Sequence, residues 1–187
     1  PIIKIVRRYV QIDSNEFANQ VVLVTGAGSG IGAATAKLFA KRGAKVAVTD
    51  INLVSAQKTA EEINSTGGKA IAILHDVSNM THWENVRDEI HSKLGELNVV
   101  HNNAFMKIEK STSETSIAEW EKQISVNLVS MQMSVLTFLS DLKKNHGAIV
   151  NTSSIHANFG FVHHGAYAAS KGGMVAFGRQ LAVDYGP

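Results

Sequence analysis

The chain has 187 residues, 44% of them hydrophobic and 18% charged, with no cysteine. That supplies enough apolar material for one globular domain with a sizeable core, and it excludes disulfides and thiolate chemistry; a cytoplasmic, reducing location is expected. The net charge of +2 gives no electrostatic case for nucleic acid or an anionic membrane as partner. No apolar run reaches the roughly 18 residues that cross a bilayer, and no secretory signal pattern opens the chain. The eight histidines lack metal-ligand spacing, so no metal is expected.

Residues 1–18 open with "PIIKIVRRYVQIDSNEF", a basic-apolar lead that matches nothing downstream and has no assigned role. From residue 19 to 187 the pattern is that of one domain. Val21–Val24 is a β-branched run, so a buried parallel strand is expected. Apolar and small residues then recur at helical spacing from Ile31 to Arg42, where Gly43 stops the helix. Ala44–Thr49 is a second strand that ends at Asp50, and Val54–Ser65 is a second helix closed by Gly67 and Gly68. Ala70–Leu74 is a third strand, followed by His75-Asp76-Val77 and an amphipathic helix over Thr81–Leu94. Leu97–His101 is a fourth strand, leading to Asn102-Asn103-Ala104. A long helix is expected over Ile117–Lys143, a fifth strand over Gly147–Thr152 with Ser153 and Ser154 at its end, and a last helix over Tyr167–Tyr185. This strict alternation predicts an α/β fold, a doubly wound parallel sheet of the Rossmann type in three α/β/α layers. Ligands of such sheets bind at the carboxyl ends of the strands, where the strand order reverses.

The turn after the first strand carries Gly26, Gly28, Gly30 and Gly32. Glycine in an element interior costs about 0.5–1 kcal/mol relative to alanine, so a bare backbone here needs a reason. Between a strand and a helix, free N–H groups and the helix dipole form an anion site, and side chains would hold a phosphate away from it. Gly26, Ser29, Gly30, Ile31 and Gly32 are therefore expected to cradle a dinucleotide pyrophosphate. An ordinary tight turn is the alternative, but the flanking strand and helix supply the context the motif requires. Asp50, at the end of the second strand, can accept hydrogen bonds from an adenosine ribose and would repel a 2′-phosphate. No Lys or Arg stands at Ser29, Ile51 or Asn52 to offset that repulsion, so NAD rather than NADP is expected. Taken alone, Asp50 is equally well explained as a surface cap of the next helix.

Thr25-Gly26-x-x-x-Gly30-Ile31-Gly32 resembles the cofactor motif of the short-chain dehydrogenase/reductase family. Asp76-Val77 resembles the family's adenine-contacting pair, and Asn102-Asn103-Ala104 its Asn-Asn-Ala-Gly segment. Asn127 in "SVNL", Ser154 in "NTSS", and Tyr167 and Lys171 in "YAASK" resemble its Asn-Ser-Tyr-Lys catalytic set. The resemblance implies hydride transfer between NAD(H) and a secondary alcohol or ketone, such as a sugar, a steroid or a 3-oxoacyl thioester. It also implies that Asn103, Ala104, Tyr167 and Lys171 contact the cofactor, and that a homodimer or homotetramer pairs through the helices before Lys143 and after Gly165.

The residue chemistry agrees. Tyr167 and Lys171 stand four apart and share one helix face. A phenol with its reference pKa of about 10 is a poor base at neutral pH, and a neighbouring ammonium favours the phenolate. Tyr167 is then the expected acid/base, tuned by Lys171, with Ser154 orienting the substrate oxygen. By resemblance, Lys171 also holds the nicotinamide ribose and Asn127 a water that connects Lys171 to solvent. Phe105, Met106, His156, Phe159, Phe161, His163 and His164 fall in neighbouring loops and are weaker candidates for a substrate pocket.

Two features depart from the family pattern. Phe105 stands where the family carries glycine, and the sequence stops at Tyr185-Gly186-Pro187, where the family continues into two more strands and a substrate lid. Those strands and the lid are thus expected to be missing, which leaves Ala148–Asn151 as an uncovered edge. Two other readings stay open: a non-catalytic NAD-binding sensor or scaffold, and an inactive truncated fragment of such an enzyme. Intact Ser154, Tyr167 and Lys171 weigh against the sensor.

Overall fold

A computed structural model describes residues 15–186. Five strands, β1 (Val21–Thr25), β2 (Lys45–Asp50), β3 (Lys69–Leu74), β4 (Val99–Asn102) and β5 (Ala148–Asn151), pair in parallel in the order β3-β2-β1-β4-β5. Six α-helices alternate with them: α1 (Gly30–Lys41), α2 (Leu53–Ser65), α3 (Met80–Lys93), α4 (Ile117–Ile124), α5 (Ser130–Lys144) and α6 (Gly165–Tyr185). The strand order reverses at β1, which pairs with β2 on one side and β4 on the other.

The period-two geometry of a strand sorts the apolar runs into two cores. Val22, Val24, Val46 and Val48 face Ala36 of α1 and Ala56 and Ile63 of α2. Val21, Leu23 and Val100 face Trp83 and Ile90 of α3 and Phe138 and Leu142 of α5. Both faces are covered, so β1 is buried along its whole length. This is the expected doubly wound, three-layer α/β/α arrangement. Local chemistry sets the helix starts: Asn52 caps α2 by accepting from the Ser55 N–H, Asn79 caps α3 through Thr81, and Ser116 with Glu119 forms a capping box before α4. Gly43, at φ 93°, turns the chain out of α1.

Most expected elements shift by one residue at an end, and four differences have more to say about the fold. The helix expected over Ile117–Lys143 is interrupted by a π-helical turn at Ser125–Val129, which widens the spiral around the buried Asn127. The fourth strand begins at Val99 rather than Leu97, because the Leu97 N–H donates to the Asp141 carboxylate (2.9 Å) instead of joining the ladder. The last helix begins at Gly165, ahead of Tyr167. Of the lead expected over residues 1–18, residues 1–14 lie outside the described range, but residues after them already belong to the domain. Phe17 packs edge-on against Phe39 at 4.8 Å, its N–H donates to the Arg42 carbonyl (3.0 Å), and Glu16 pairs with Arg42 (3.1 Å). Among the described residues β5 pairs with β4 alone, and its residues alternate between exposed and half-buried.

His75, just past β3, is buried with its Nδ1 3.1 Å from Thr49 Oγ1 and its ring 4.3 Å from that of Trp83. Burial pushes its pKa from 6.5 down to about 3. Below pH 6.5 the unfolded chain takes up a proton that the folded chain refuses, so the stability present above 6.5 is lost as pH falls toward the folded value. The Tm of the wild type minus that of His75→Gln should therefore fall as pH drops below 6.5. A pH-independent difference would contradict this account.

Candidate active site and nucleotide cleft

A cavity of about 560 Å3 opens at the reversal point of the sheet, beyond the carboxyl ends of the strands. One end of it is built by a clasp between β1 and β4. Thr25 Oγ1 accepts from the Asn103 and Ala104 N–H groups (3.0 and 3.1 Å), while Asn103 Nδ2 donates to the carbonyls of Thr25 (3.0 Å) and Gly26 (3.2 Å). The turn is packed so tightly, on itself and against the segment after β4, that a Cβ at Gly26 would lie 2.8 Å from Ala104 Cα, and one at Gly32 would lie 2.2 Å from the Gly26 carbonyl oxygen and 2.6 Å from Asn103 Nδ2. Gly30 is different. It opens α1 at φ 53°, lines the cavity, and a Cβ there would meet nothing within 4 Å. Backbone is thus presented bare at a helix N-terminus, with Ser29 and the exposed Ile31 beside it.

Asp50 also lines the cavity. Its Oδ2 accepts from the Gly28 N–H and its Oδ1 from the Asn52 N–H, both at 2.9 Å. The N-cap of α2 is Asn52, and Asp50 accepts the N–H of that capping residue just ahead of the helix. Asp76 and Val77 line the same region. Burial pushes the Asp76 carboxyl up, but two hydrogen bonds from Ser78 (2.9 and 2.6 Å) and the Lys122 charge outweigh it and hold the group below its ordinary value. Bare backbone at Gly30, a fixed carboxylate at Asp50 and polar groups at Asp76 and Asn103 fit a dinucleotide laid across the reversal point.

Tyr167 and Lys171 line the other end of the cavity. Lys171 is only 2% exposed; its Nζ donates to the Thr152 carbonyl (2.7 Å) and sits 5.7 Å from the centre of the Tyr167 ring. Burial pushes its pKa down from 10.5 to about 8. Ser154 stands just outside the cavity lining, at the start of a short 3-10 turn over Ile155–Ala157. Its hydroxyl lies 3.0 Å from His156 Nδ1, and the His156 ring lies 5.2 Å from that of Tyr167. Asn127 does not line the cavity. Its Oδ1 accepts from the Met106 N–H (2.7 Å), and its Nδ2 donates to the Met106 carbonyl (2.8 Å) and to Ser170 Oγ (3.1 Å), so it fastens the loop after β4 to α6. Gly32 lies behind the turn, against Asn103.

Of the weaker candidates, Phe105 and Met106 line the cavity, and the Phe105 ring lies 6.4 Å from that of Tyr167. His156, Phe161 and His164 gather with Tyr167, whereas Phe159 is 65% exposed and His163 is an exposed residue at φ 64°. Sequence reasoning missed Thr25, Thr152, Lys122 and Val126 as cavity or clasp residues. It also missed Gln123, whose Oε1 accepts from the Ile108 N–H (3.0 Å). The four-residue spacing of Lys122 and Val126 on one helical face was an available signal for those two.

The family model described as short chain dehydrogenase matches residues 20–187. The chain belongs to that family. This dehydrogenase is 40% identical over 183 residues to cyclohexanol dehydrogenase of Acinetobacter sp. (strain SE19), covering 94% of this chain and 70% of that protein. It is 35% identical to cyclopentanol dehydrogenase of Comamonas sp. (strain NCIMB 9872), covering 90% and 68%. It is also 35% identical to meso-2,3-butanediol dehydrogenase of Serratia marcescens, covering 91% and 67%. A crystal structure described as a short-chain alcohol dehydrogenase from Sinorhizobium meliloti 1021 superposes with a TM-score of 0.87 at 29% identity, covering 92% of this chain and 69% of that one. The protein is thus an oxidoreductase acting on CH–OH groups, with a small-molecule alcohol substrate and NAD or NADP as cofactor. Among the described residues, no helix is long and apolar enough to cross a membrane.

The depressed Lys171 pKa carries a signed consequence. Between about 8 and 10.5 the unfolded chain binds the proton and the folded chain does not, so stability rises with pH across that window. The Tm of the wild type relative to Lys171→Met should climb as pH rises from about 8 toward 10.5. A flat difference would show that Lys171 keeps an ordinary ammonium in the folded state.

Proposed function

We propose that this dehydrogenase oxidises small apolar secondary alcohols with NAD, and that Tyr167 is the acid/base. The observation that carries the reading is that one cavity is lined by the glycine turn and Asp50 together with Tyr167 and Lys171. Hydride acceptor and proton acceptor can therefore meet the same carbon–oxygen bond.

Three features support the details. The Asp50 carboxylate is fixed by two backbone N–H groups where a 2′-phosphate of NADP would approach, and neither Ser29 nor Ile51 beside it carries a positive charge. The Lys122 charge acts on Asp76. Phe105 and Met106 give the Tyr167 end of the cavity an apolar wall, which suits an unfunctionalised ring or chain, and the relatives named for cyclohexanol and cyclopentanol share that chemistry.

In this mechanism Tyr167 takes the hydroxyl proton of the substrate, and the Lys171 ammonium, pinned by the Thr152 carbonyl, stabilises the phenolate. Ser154 donates to the substrate oxygen as negative charge develops on it. Asn127 sets the wall by holding Met106 against α6, and a water beside it would complete a proton path from Lys171 to solvent. Bound in the cleft, the nicotinamide ring supplies the hydride acceptor. Pairing of two copies through α5 and α6 belongs to the same reading, supported by the exposed Leu136 and Val183 on those helices.

Tyr167→Phe should reduce NAD-linked oxidation of cyclohexanol by about 10²–10⁴-fold while leaving the Kd for NADH unchanged. Wild-type turnover in the variant would contradict the assignment.

A further inference from the structure

We propose that His156 is a positioning residue for this reaction. Its Nδ1–H donates to the Ser154 oxygen, so the Ser154 hydroxyl proton is left for the substrate oxygen. The inference rests on the functional reading above and adds a residue to it.

The argument is one of donor accounting. Ser154 Oγ has a single proton and two lone pairs. One lone pair already accepts the His156 backbone N–H at 3.3 Å, and His156 Nδ1 stands 3.0 Å away. If Nδ1 were the bare nitrogen of the ring, the Ser154 proton would point at it and the substrate oxygen would meet no donor from Ser154. With the proton on Nδ1, Ser154 accepts twice from His156, and its own O–H is the group left over. Negative charge develops on the substrate oxygen as its proton passes to Tyr167, before hydride departure converts it to a carbonyl oxygen, and a hydroxyl with a free proton stabilises that charge.

The surroundings keep the ring in place for that task. The His156 ring lies 4.6 Å from Phe161 and 4.7 Å from His164, and it meets the Tyr167 ring edge-on at 5.2 Å. His164 is itself anchored, since its Nδ1 donates to the Val162 carbonyl at 2.6 Å, with Glu109 3.8 Å from its Nε2. One imidazole thus touches both residues that the functional reading assigns to the substrate oxygen, by a hydrogen bond to Ser154 and a ring edge to Tyr167. Desolvation, His164 and Lys107 all push the His156 pKa below its ordinary value, which favours the neutral ring, and the tautomer of that ring is the variable that matters.

Two measurements test the proposal on the full chain. Nitrogen-15 spectra of the histidine rings should show His156 as the Nδ1–H tautomer, with its signals moving in Ser154→Ala; an Nε2–H tautomer would overturn the proposal whether or not the protein turns over. In steady-state assays with cyclohexanol and NAD, His156→Phe keeps a ring but has no donor. It should lose roughly tenfold in kcat at an unchanged Kd for NADH. His156→Asn, whose amide nitrogen occupies the Nδ1 position, should recover kcat to within about threefold of wild type. Wild-type kcat in His156→Phe, or no recovery in His156→Asn, would also overturn it. A wild-type protein that binds NADH but leaves cyclohexanol untouched would count against the functional reading, and the ring spectra would still decide this one.

Discussion

The clasp between Thr25 and Asn103 is the constraint on which the rest of the site depends. Four hydrogen bonds, two into Thr25 Oγ1 and two from Asn103 Nδ2, join the end of β1 to the end of β4 across the reversal point of the sheet. Two of them are buried and two partly buried, and a buried group left without its partner costs about 1–3 kcal/mol. The clasp fixes how closely the glycine turn lies on its neighbour. That closeness forbids side chains at Gly26 and Gly32 and leaves Gly30 as the open face of the helix terminus. The same residues start the loop that carries Ala104, Phe105 and Met106 into the cavity wall.

The far end of that loop is held by a second set of buried amides. Gln123 takes the Ile108 N–H, and Asn127 takes both backbone groups of Met106 while reaching Ser170 on α6. The π-helical turn brings Asn127 to this position. Cofactor cradle, apolar wall and the Tyr167 helix are therefore one hydrogen-bonded unit rather than three separate features. Lys171 is buried inside it at the cost of a depressed pKa, the kind of perturbation that gathers at sites of proton chemistry.

Much of this was legible in the sequence because the relevant signals are local. Continuous β-branched runs marked the buried parallel strands, the glycine turn and Asp50 marked the reversal point, and the four-residue spacing of Tyr167 and Lys171 marked one helix face. What escaped depends on partners far along the chain. The start of β4 is set by Asp141 capturing the Leu97 N–H from another element. The break at Ser125–Val129 serves Asn127's bonds to Met106 and Ser170, which no periodicity reports. Thr25 stood in plain view inside the glycine motif, but its hydroxyl acquires a role only when β4 lies beside it. The pairing of Ser154 with His156 is local in sequence, yet it takes its meaning from the aromatic cluster that brings the ring against Tyr167.

The central claim is that the reversal-point cavity is an NAD site in which Asp50 selects against a 2′-phosphate. Parallel fluorescence titrations of the 187-residue chain with NADH and NADPH test it most directly. The account predicts saturable NADH binding, much weaker NADPH binding, and a loss of that preference in Asp50→Ala. Equal affinity for the two nucleotides, or binding of neither, would contradict it.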